Sequence, residues 1–294
     1  VLDISNPAAP KRVSRFELTD YATDIAISGN YLYVANFEEG LQVLDISNVS
    51  NIRRASNYQV SSSKEVVAVT VKDNYAYVAV NREGMHILDI SNPASPVLVG
   101  TYKSDYYPSC LRLQGNYIYL GVYSRYSDSP QPTRFRVINI SQKNAPAKVG
   151  ELTGSGHIYD IFTVGNYAYL VGEYPEIKFR VVDISDATAP RLITEFDVGE
   201  RYSEIIVEGN YAFAVGRDTG LNIFDVSNPA TPVRITDYAT PGNSSGIEIV
   251  GNRCYVADGF SGLTITNIAN PQSPGLTGKW EPAESLNATS VAVS

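Results

Sequence analysis

The chain is poor in the residues from which metal and redox centres are built. Its 294 residues place histidine only at 86 and 157 and cysteine only at 110 and 254, with a single methionine and a single tryptophan. Two histidines cannot assemble a multi-histidine zinc site, and no Cys/His pair has metal-ligand spacing. Cys110 and Cys254 fall in different elements of repeats far apart in order, so neither a bridge between them nor a disulfide framework is expected. Basic residues are in deficit, 23 Lys and Arg against 31 Asp and Glu, for a net charge of −8. That balance removes the clustered positive face a nucleic-acid backbone needs, and no nucleic-acid partner is expected. No apolar run approaches a membrane span, and the first residues read as a strand rather than a basic-then-apolar leader, so the chain is not expected to span a membrane. No serine or cysteine nucleophile sits in a recognisable motif, which gives catalysis no obvious carrier. With 44% hydrophobic and 18% charged residues, the composition is that of a folded protein.

What is abundant is repetition. The phrase Val43-Leu44-Asp45-Ile46-Ser47-Asn48 returns in near copies whose markers are Asp3, Asp45, Asp89, Asn139, Asp183, Asp225 and Asn267, spaced by 42, 44, 50, 44, 42 and 42 residues. A period this even means a repeat architecture. Within one unit, Ala22 to Ser28 alternates with period two, Gly29-Asn30 is a hairpin turn, and Tyr31-Leu32-Tyr33-Val34-Ala35 returns as a strand. Asn36 to Gly40 leads into Leu41 to Ile46, the Asp-Ile-Ser-Asn phrase turns the chain again, and a further strand runs from Arg53 to Val60. Four short strands in each period describe a β-propeller blade, with strands A to D counted from the channel outward. The hairpin recurs near 74, 116, 166, 210 and 252, and ten of the 21 tyrosines occupy its Tyr-x-Tyr slots, where scaffold packing explains them.

Strand counts set the fold class: all-β, a seven-bladed β-propeller of four-stranded antiparallel blades. A strands begin near 22, 65, 108, 158, 202, 245 and 288, and C strands also number seven, yet B strands number only six. The chain starts on C and D of one blade and ends on A of the same blade, so the ring closes between its N-terminal and C-terminal strands with one B strand missing. The whole of 1–294 is therefore read as a single propeller domain, cut from a longer protein or completed by a segment outside it.

The stretch Leu88-Asp89-Ile90-Ser91-Asn92-Pro93-Ala94-Ser95-Pro96, with Gly115-Asn116-Tyr117-Ile118-Tyr119 after it, closely resembles the LVIVD repeat of bacterial and archaeal surface proteins, and the likeness extends over the whole chain. No Trp-Asp pair ends a strand, which separates it from WD40 repeats. The resemblance implies a propeller on an exported or cell-surface protein, hence an extracellular, surface or periplasmic location, with flanking domains of the same polypeptide. It brings no catalytic residues. Departures are Val49 in place of proline, Asn139 and Asn267 in place of aspartate, and the long third interval.

The A–B and C–D turns are nearly uniform, and their Asp, Ser and Pro residues suit turn-making rather than calcium binding. Function is expected where repeats differ, on the face carrying the B–C loops and D–A connections. The loop from Tyr123 to Thr133, with Arg125 and Tyr126, and the loop containing Tyr174 depart most. Beside them lie Tyr106, Tyr107, His157 and Tyr159, while Arg136 and Arg180 stand where other repeats have Gln42, His86, Asn222 or Thr264. Tyrosine and arginine dominate recognition surfaces, so this sector is the candidate binding site for a protein or glycan; the competing expectation is that both arginines pair with local carboxylates. No cofactor is expected, with one alternative: Asp24, Asp160 and Glu204 share one A-strand position and could hold a divalent cation at the channel mouth, with His157 as a base. The expected function is a non-catalytic recognition or scaffold domain. An acidic, metal-dependent hydrolase or lyase and a purely structural spacer are the alternatives.

Overall fold

The computed structural model describes residues 1–61, 64–123, 133–154, 157–173, 178–284 and 286–294, and all regular structure among them is strand. Strands β1 (Leu2–Asp3) and β2 (Lys11–Arg12) form a two-stranded antiparallel sheet. The rest form six four-stranded sheets, each ordered as the chain runs. The first is β3 (Asp24–Ser28), β4 (Tyr31–Ala35), β5 (Leu41–Asp45) and β6 (Arg53–Tyr58); the second is β7 (Val66–Lys72), β8 (Tyr75–Val80), β9 (Gly84–Asp89) and β10 (Val97–Lys103). The third is β11 (Tyr107–Gln114), β12 (Tyr117–Tyr123), β13 (Thr133–Asn139) and β14 (Ala147–Gly154); the fourth is β15 (His157–Val164), β16 (Tyr167–Glu173), β17 (Lys178–Asp183) and β18 (Arg191–Asp197). The fifth is β19 (Glu204–Glu208), β20 (Tyr211–Gly216), β21 (Gly220–Asp225) and β22 (Val233–Tyr238); the sixth is β23 (Gly246–Val250), β24 (Arg253–Ala257), β25 (Leu263–Asn267) and β26 (Gly275–Trp280). The chain is thus a β-propeller of four-stranded antiparallel blades.

By compactness the residues divide into two units. One is Val1–Val13, Tyr159–Ser185 and Arg191–Ser294; the other is Ser14–Ile158 with Asp186–Pro190. In the second unit, one core joins Tyr33, Leu41 and Val43 to Val69, Val78 and Leu88, and another joins Tyr77, Met85 and Ile87 to Leu111, Leu120 and Ile138. In the first unit, Tyr169, Phe179 and Val181 pack on Ile205, Ala214 and Phe224, and Phe213, Leu221 and Ile223 pack on Ile247, Cys254 and Val256. Each core lies between consecutive blades, which is why one face of a B strand must be aromatic and aliphatic. The second aromatic of the hairpin slot supplies the anchor: Tyr33, Tyr77, Tyr119, Tyr169, Phe213 and Tyr255 are at most 4% exposed. Truncating such a ring to alanine costs about 3–5 kcal/mol.

The turns explain the repeated phrase. Every C–D turn opens with a side-chain oxygen that accepts the N–H two residues on, from Asp3 to Ser5 (2.9 Å), Asp45 to Ser47 (2.9 Å), Asp89 to Ser91 (2.8 Å) and Asn139 to Ser141 (2.8 Å), and likewise at Asp183, Asp225 and Asn267. Asparagine makes this bond as well as aspartate, so the departures at 139 and 267 leave the turn intact. The next residue is latched to the neighbouring hairpin: Ile46, Ile90, Ile140, Ile184, Val226 and Ile268 donate their N–H groups to the carbonyls of Asn30, Asn74, Asn116, Asn166, Asn210 and Asn252. The hairpin turn itself needs a positive φ at its first residue, +60° at Gly115 and +53° at Asp73, where an aspartate tolerates what glycine otherwise provides.

The D strands each carry a β-bulge against C. There the strand closes on the next repeat's C–D turn. A Cβ on Gly150 would stand 2.2 Å from the Ala187 carbonyl, and one on Gly100 1.9 Å from that of Lys143, whereas Ser56 turns its hydroxyl to the Pro93 carbonyl at 2.6 Å.

The strand count from sequence gave seven complete A and C strands; six four-stranded blades and one two-stranded sheet are present. The segment expected as a seventh A strand, 288–294, makes a single bridge, Ala288 with Gly259, and no ladder. A ladder needs a second strand hydrogen-bonded along its length, and among the described residues this segment has only that bridge.

Candidate functional site

The third blade, in the unit of Ser14–Ile158, holds Tyr107, Tyr123 and Arg136 of the residues singled out by sequence, with Tyr106 immediately before it. Tyr107 opens β11 directly opposite Tyr123 at the end of β12, with ring centroids 5.8 Å apart. Tyr123 in turn lies 4.2 Å from the ring of His157 at the start of β15. All three are half-buried, and the two ring pairs meet at tilted angles of 35° and 43°. Tyr106 belongs to a second group. The guanidinium carbons of Arg134 and Arg136 each stand 4.9 Å from its ring centroid, a doubled cation–π arrangement.

Both arginines are held by Glu151. Arg134 Nη1 and Arg136 Nε reach its two oxygens at 2.5 and 2.8 Å, and Lys148 Nζ adds a contact of 3.1 Å. Arg136 also donates to Tyr102 OH (3.2 Å) and Ser104 Oγ (2.8 Å). Burial works against the charge on Glu151, but hydrogen bonds from Lys148, Arg136 and Arg134 outweigh it and hold its pKa below the usual value. For Arg134 burial likewise opposes the charge, and its bonds to Tyr106 and Glu151 raise the pKa above the ordinary arginine value. Three cations facing one carboxylate leave this corner of an acidic protein locally positive.

The expectation that the arginines pair locally describes the bonds they make: Arg136 with Glu151, and Arg180 Nε with Glu195 Oε2 at 3.0 Å. Arg180, on β17, and Tyr159, on β15, belong to the other compact unit. Arg125, Tyr126 and Tyr174 lie outside the described residues. Sequence reasoning missed Arg134, Glu151, Tyr102 and Ser104. Arg134 was legible as the residue two before Arg136, on the same strand face. Glu151 was not, because its place opposite Arg136 depends on the register of β14, and the bulge between Val137 and Ile138 shifts that register.

The position of Arg136 is polar and buried in all six blades: Gln42, His86, Arg136, Arg180, Asn222 and Thr264. Arg136 and Arg180 each pair with a glutamate of the neighbouring strand, and other blades use other partners. His86 Nδ1 meets Tyr58 OH at 2.9 Å, Thr264 donates to Asp258 Oδ2 at 3.0 Å, and Asn222 contacts Thr219 and Arg234. Burial holds the His86 pKa below the ordinary value, against the pull of Glu83.

The three A-strand carboxylates each span to the next inner strand. Asp24 Oδ2 accepts the Val69 N–H (2.8 Å), Asp160 Oδ2 that of Ile205 (2.9 Å), and Glu204 Oε2 that of Ile247 (2.9 Å). Cys110, at the equivalent place, sets its Sγ 3.8 Å from the Ile158 carbonyl. Among the described residues no group of three or more His, Cys, Asp or Glu side chains stands close enough to hold a metal ion. Cys110 and Cys254 are both buried and outside any disulfide, and burial pushes the Cys254 thiol up to about 12, which keeps it unreactive.

No curated protein matches the chain. Among solved structures, the crystal structure of the computationally designed Ika8 protein superposes with a TM-score of 0.62 at 12% identity, over 94% of this chain and 92% of that one, a likeness of fold alone. The profile of the LVIVD repeat matches residues 1–17, 20–60, 65–104, 155–198, 201–240 and 241–281. The stretch 105–154, which carries the aromatic and arginine groups of the third blade, falls between those matches. On six matches that together cover most of its length, the chain belongs to the LVIVD repeat family.

Proposed function

We propose that this chain is a non-catalytic recognition domain of an exported or cell-surface protein, binding a protein or glycan through the B–C and D–A side of its third blade. The carrying observation is the paired aromatic arrangement there: Tyr107, Tyr123 and His157 in ring contact in series, beside Tyr106 flanked by two guanidinium groups. Such side chains are ordered before any ligand arrives, so binding costs little further side-chain entropy. The reading is supported by where they sit, in the repeat with the 50-residue interval. The exported location rests on the resemblance to surface-protein repeats. We further read the two-stranded sheet β1–β2 and the 288–293 segment as parts of a seventh blade, giving a seven-bladed ring closed between its first and last strands.

Thermal unfolding against a panel of glycans and peptides, run beside a Tyr107→Ala/Tyr123→Ala variant, tests the site. A ligand at 100 times its dissociation constant adds about 2.7 kcal/mol, enough to resolve. A shift in the parent that the variant loses supports the third-blade site. A shift the variant keeps moves the site elsewhere, and a divalent-metal shift abolished by Asp160→Asn supports an inner-strand cation site in its place.

A further inference from the structure

The charges of the third blade are out of balance. Glu151 is one carboxylate set against three cations, Arg134, Arg136 and Lys148, in a chain whose net charge is −8. Lys103 and Asp105, both exposed on either side of Ser104, add one charge of each sign and leave the surplus as it was. Other ion pairs of the fold are matched: Lys64 has Glu83, Arg180 has Glu195, and Arg234 has both Glu200 and Asp237. Like charges held together in a partly buried place repel one another, and an incoming anion relieves that repulsion.

The donors of the group are not used up either. A guanidinium carries five N–H groups. Arg136 spends Nε on Glu151 and Nη1 on Tyr102 OH and Ser104 Oγ, and no group among the described residues takes an N–H of its Nη2. Arg134 spends Nη1 on Glu151 and Thr153 Oγ1, while its buried Nε has no hydrogen-bond partner. Lys148 gives one N–H to Glu151, and its side chain is 42% exposed. The Tyr106 ring, 4.9 Å from both guanidinium carbons, holds the two arginines in place before any ligand arrives.

The register places the other half of the site. β12 pairs Val122 with Arg134, so Tyr123, one residue on, projects from the opposite face of the sheet together with its partner Tyr107. The cations and the Tyr107–Tyr123–His157 rings therefore lie on the two faces of one blade, at the same end of it. A ligand that meets both must offer a carboxylate and an apolar C–H face within a short distance along one chain. Resting on the third-blade reading, we propose that this ligand is a carboxylated glycan, a chain of uronic acids, with a carboxylate on Arg134, Arg136 and Lys148 and a neighbouring pyranose ring against the Tyr107–Tyr123–His157 rings. Each uronic acid residue brings one carboxylate for charge-assisted bonds and one C–H face for the negative face of an aromatic ring.

The test uses the whole chain with oligogalacturonate and oligomannuronate, each beside its methyl-esterified form, which keeps the sugar backbone and removes the charge. Calorimetric titration and unfolding temperature are read with a chelator present, so that no divalent cation bridges the carboxylates. The expected result is binding of at least one acid form, weakened at least about tenfold by esterification and weakened again by added salt. Lys148→Glu, at an exposed side chain, should cut the affinity by a similar factor, and Arg134→Gln should do so while leaving Arg136 on Glu151. Equal binding of the acid and ester forms, an affinity that neither variant changes, or no binding of either acid form at millimolar concentration overturns the proposal. A neutral glycan whose binding is lost in Tyr107→Ala/Tyr123→Ala but kept in Lys148→Glu sinks the anionic ligand alone and leaves the third-blade site standing. A polyglutamate peptide that binds where the uronates do not, and loses its binding in Lys148→Glu, replaces the glycan with an acidic protein. If no glycan and no peptide binds, the recognition reading itself falls and takes this proposal with it.

Discussion

Glu204 and Asp160 act as clamps between inner strands, each giving an oxygen to a backbone N–H 43 or 45 residues along the chain. A buried N–H left without that acceptor keeps its desolvation cost, so Glu204→Ala should lower stability by about 1.5–3 kcal/mol. Glu204→Gln keeps an acceptor oxygen and should retain a good part of that. Urea unfolding of the two variants decides it, and an unchanged midpoint for the alanine variant would remove the clamp from the account. Acid should act through two other sets of side chains. His86 has its pKa lowered by burial, so in the fold it stays neutral while the unfolded chain takes a proton near about 6.5. Its contribution is present above that value and is lost as pH falls through it. Asp45, Asp89 and Asp225 are held below the carboxylate range by hydrogen bonds from Ser47, Ser91 and Ser227, so their contribution is present above about 3.9 and is lost as pH drops further. The urea midpoint should therefore fall in two stages on acidification, with the first smaller in His86→Gln; a midpoint flat from neutrality to pH about 5 would refute the histidine part.

At the scale of the blade, the A–B hairpin and the C–D turn are one device. The asparagine carbonyl of the first latches the N–H that follows the marker residue of the second, which accounts for the near-uniformity of both. This much was legible in sequence, because turn chemistry is local and each repeat restates it. The Tyr-x-Tyr slots were legible for the same reason, and the second ring is indeed the buried one. The D strands were harder to read. They carry no shared phrase, and a bulge in each breaks the register by which a C-strand residue could be matched to its partner. The ion pair of Arg136 with Glu151 hides behind that bulge. The last A strand was legible only as a pattern: Ala288 to Ser294 nearly copies Ala22 to Ser28, but among the described residues it forms one bridge and no ladder.

For the molecule as a whole, the repeat period announced a propeller and the family, and six four-stranded blades with one two-stranded sheet stand among the described residues. Docking between consecutive repeats is local: Ser56 and the Pro93 carbonyl are 37 residues apart. The close approach of Gly278 to the Pro7 carbonyl joins residues about 270 apart at the equivalent place. Closing that longer loop costs about 1.7 kcal/mol more in chain entropy than closing a 37-residue one, by the logarithmic dependence on length. On chain entropy this joint is the costlier of the two to close. Proteolysis in sub-denaturing urea should cut within 1–13 before any blade is nicked, and early cleavage inside a four-stranded blade would contradict that order. In kinetic terms, the seam at Gly278 is the last to shut when the chain folds and the first to part when it unfolds.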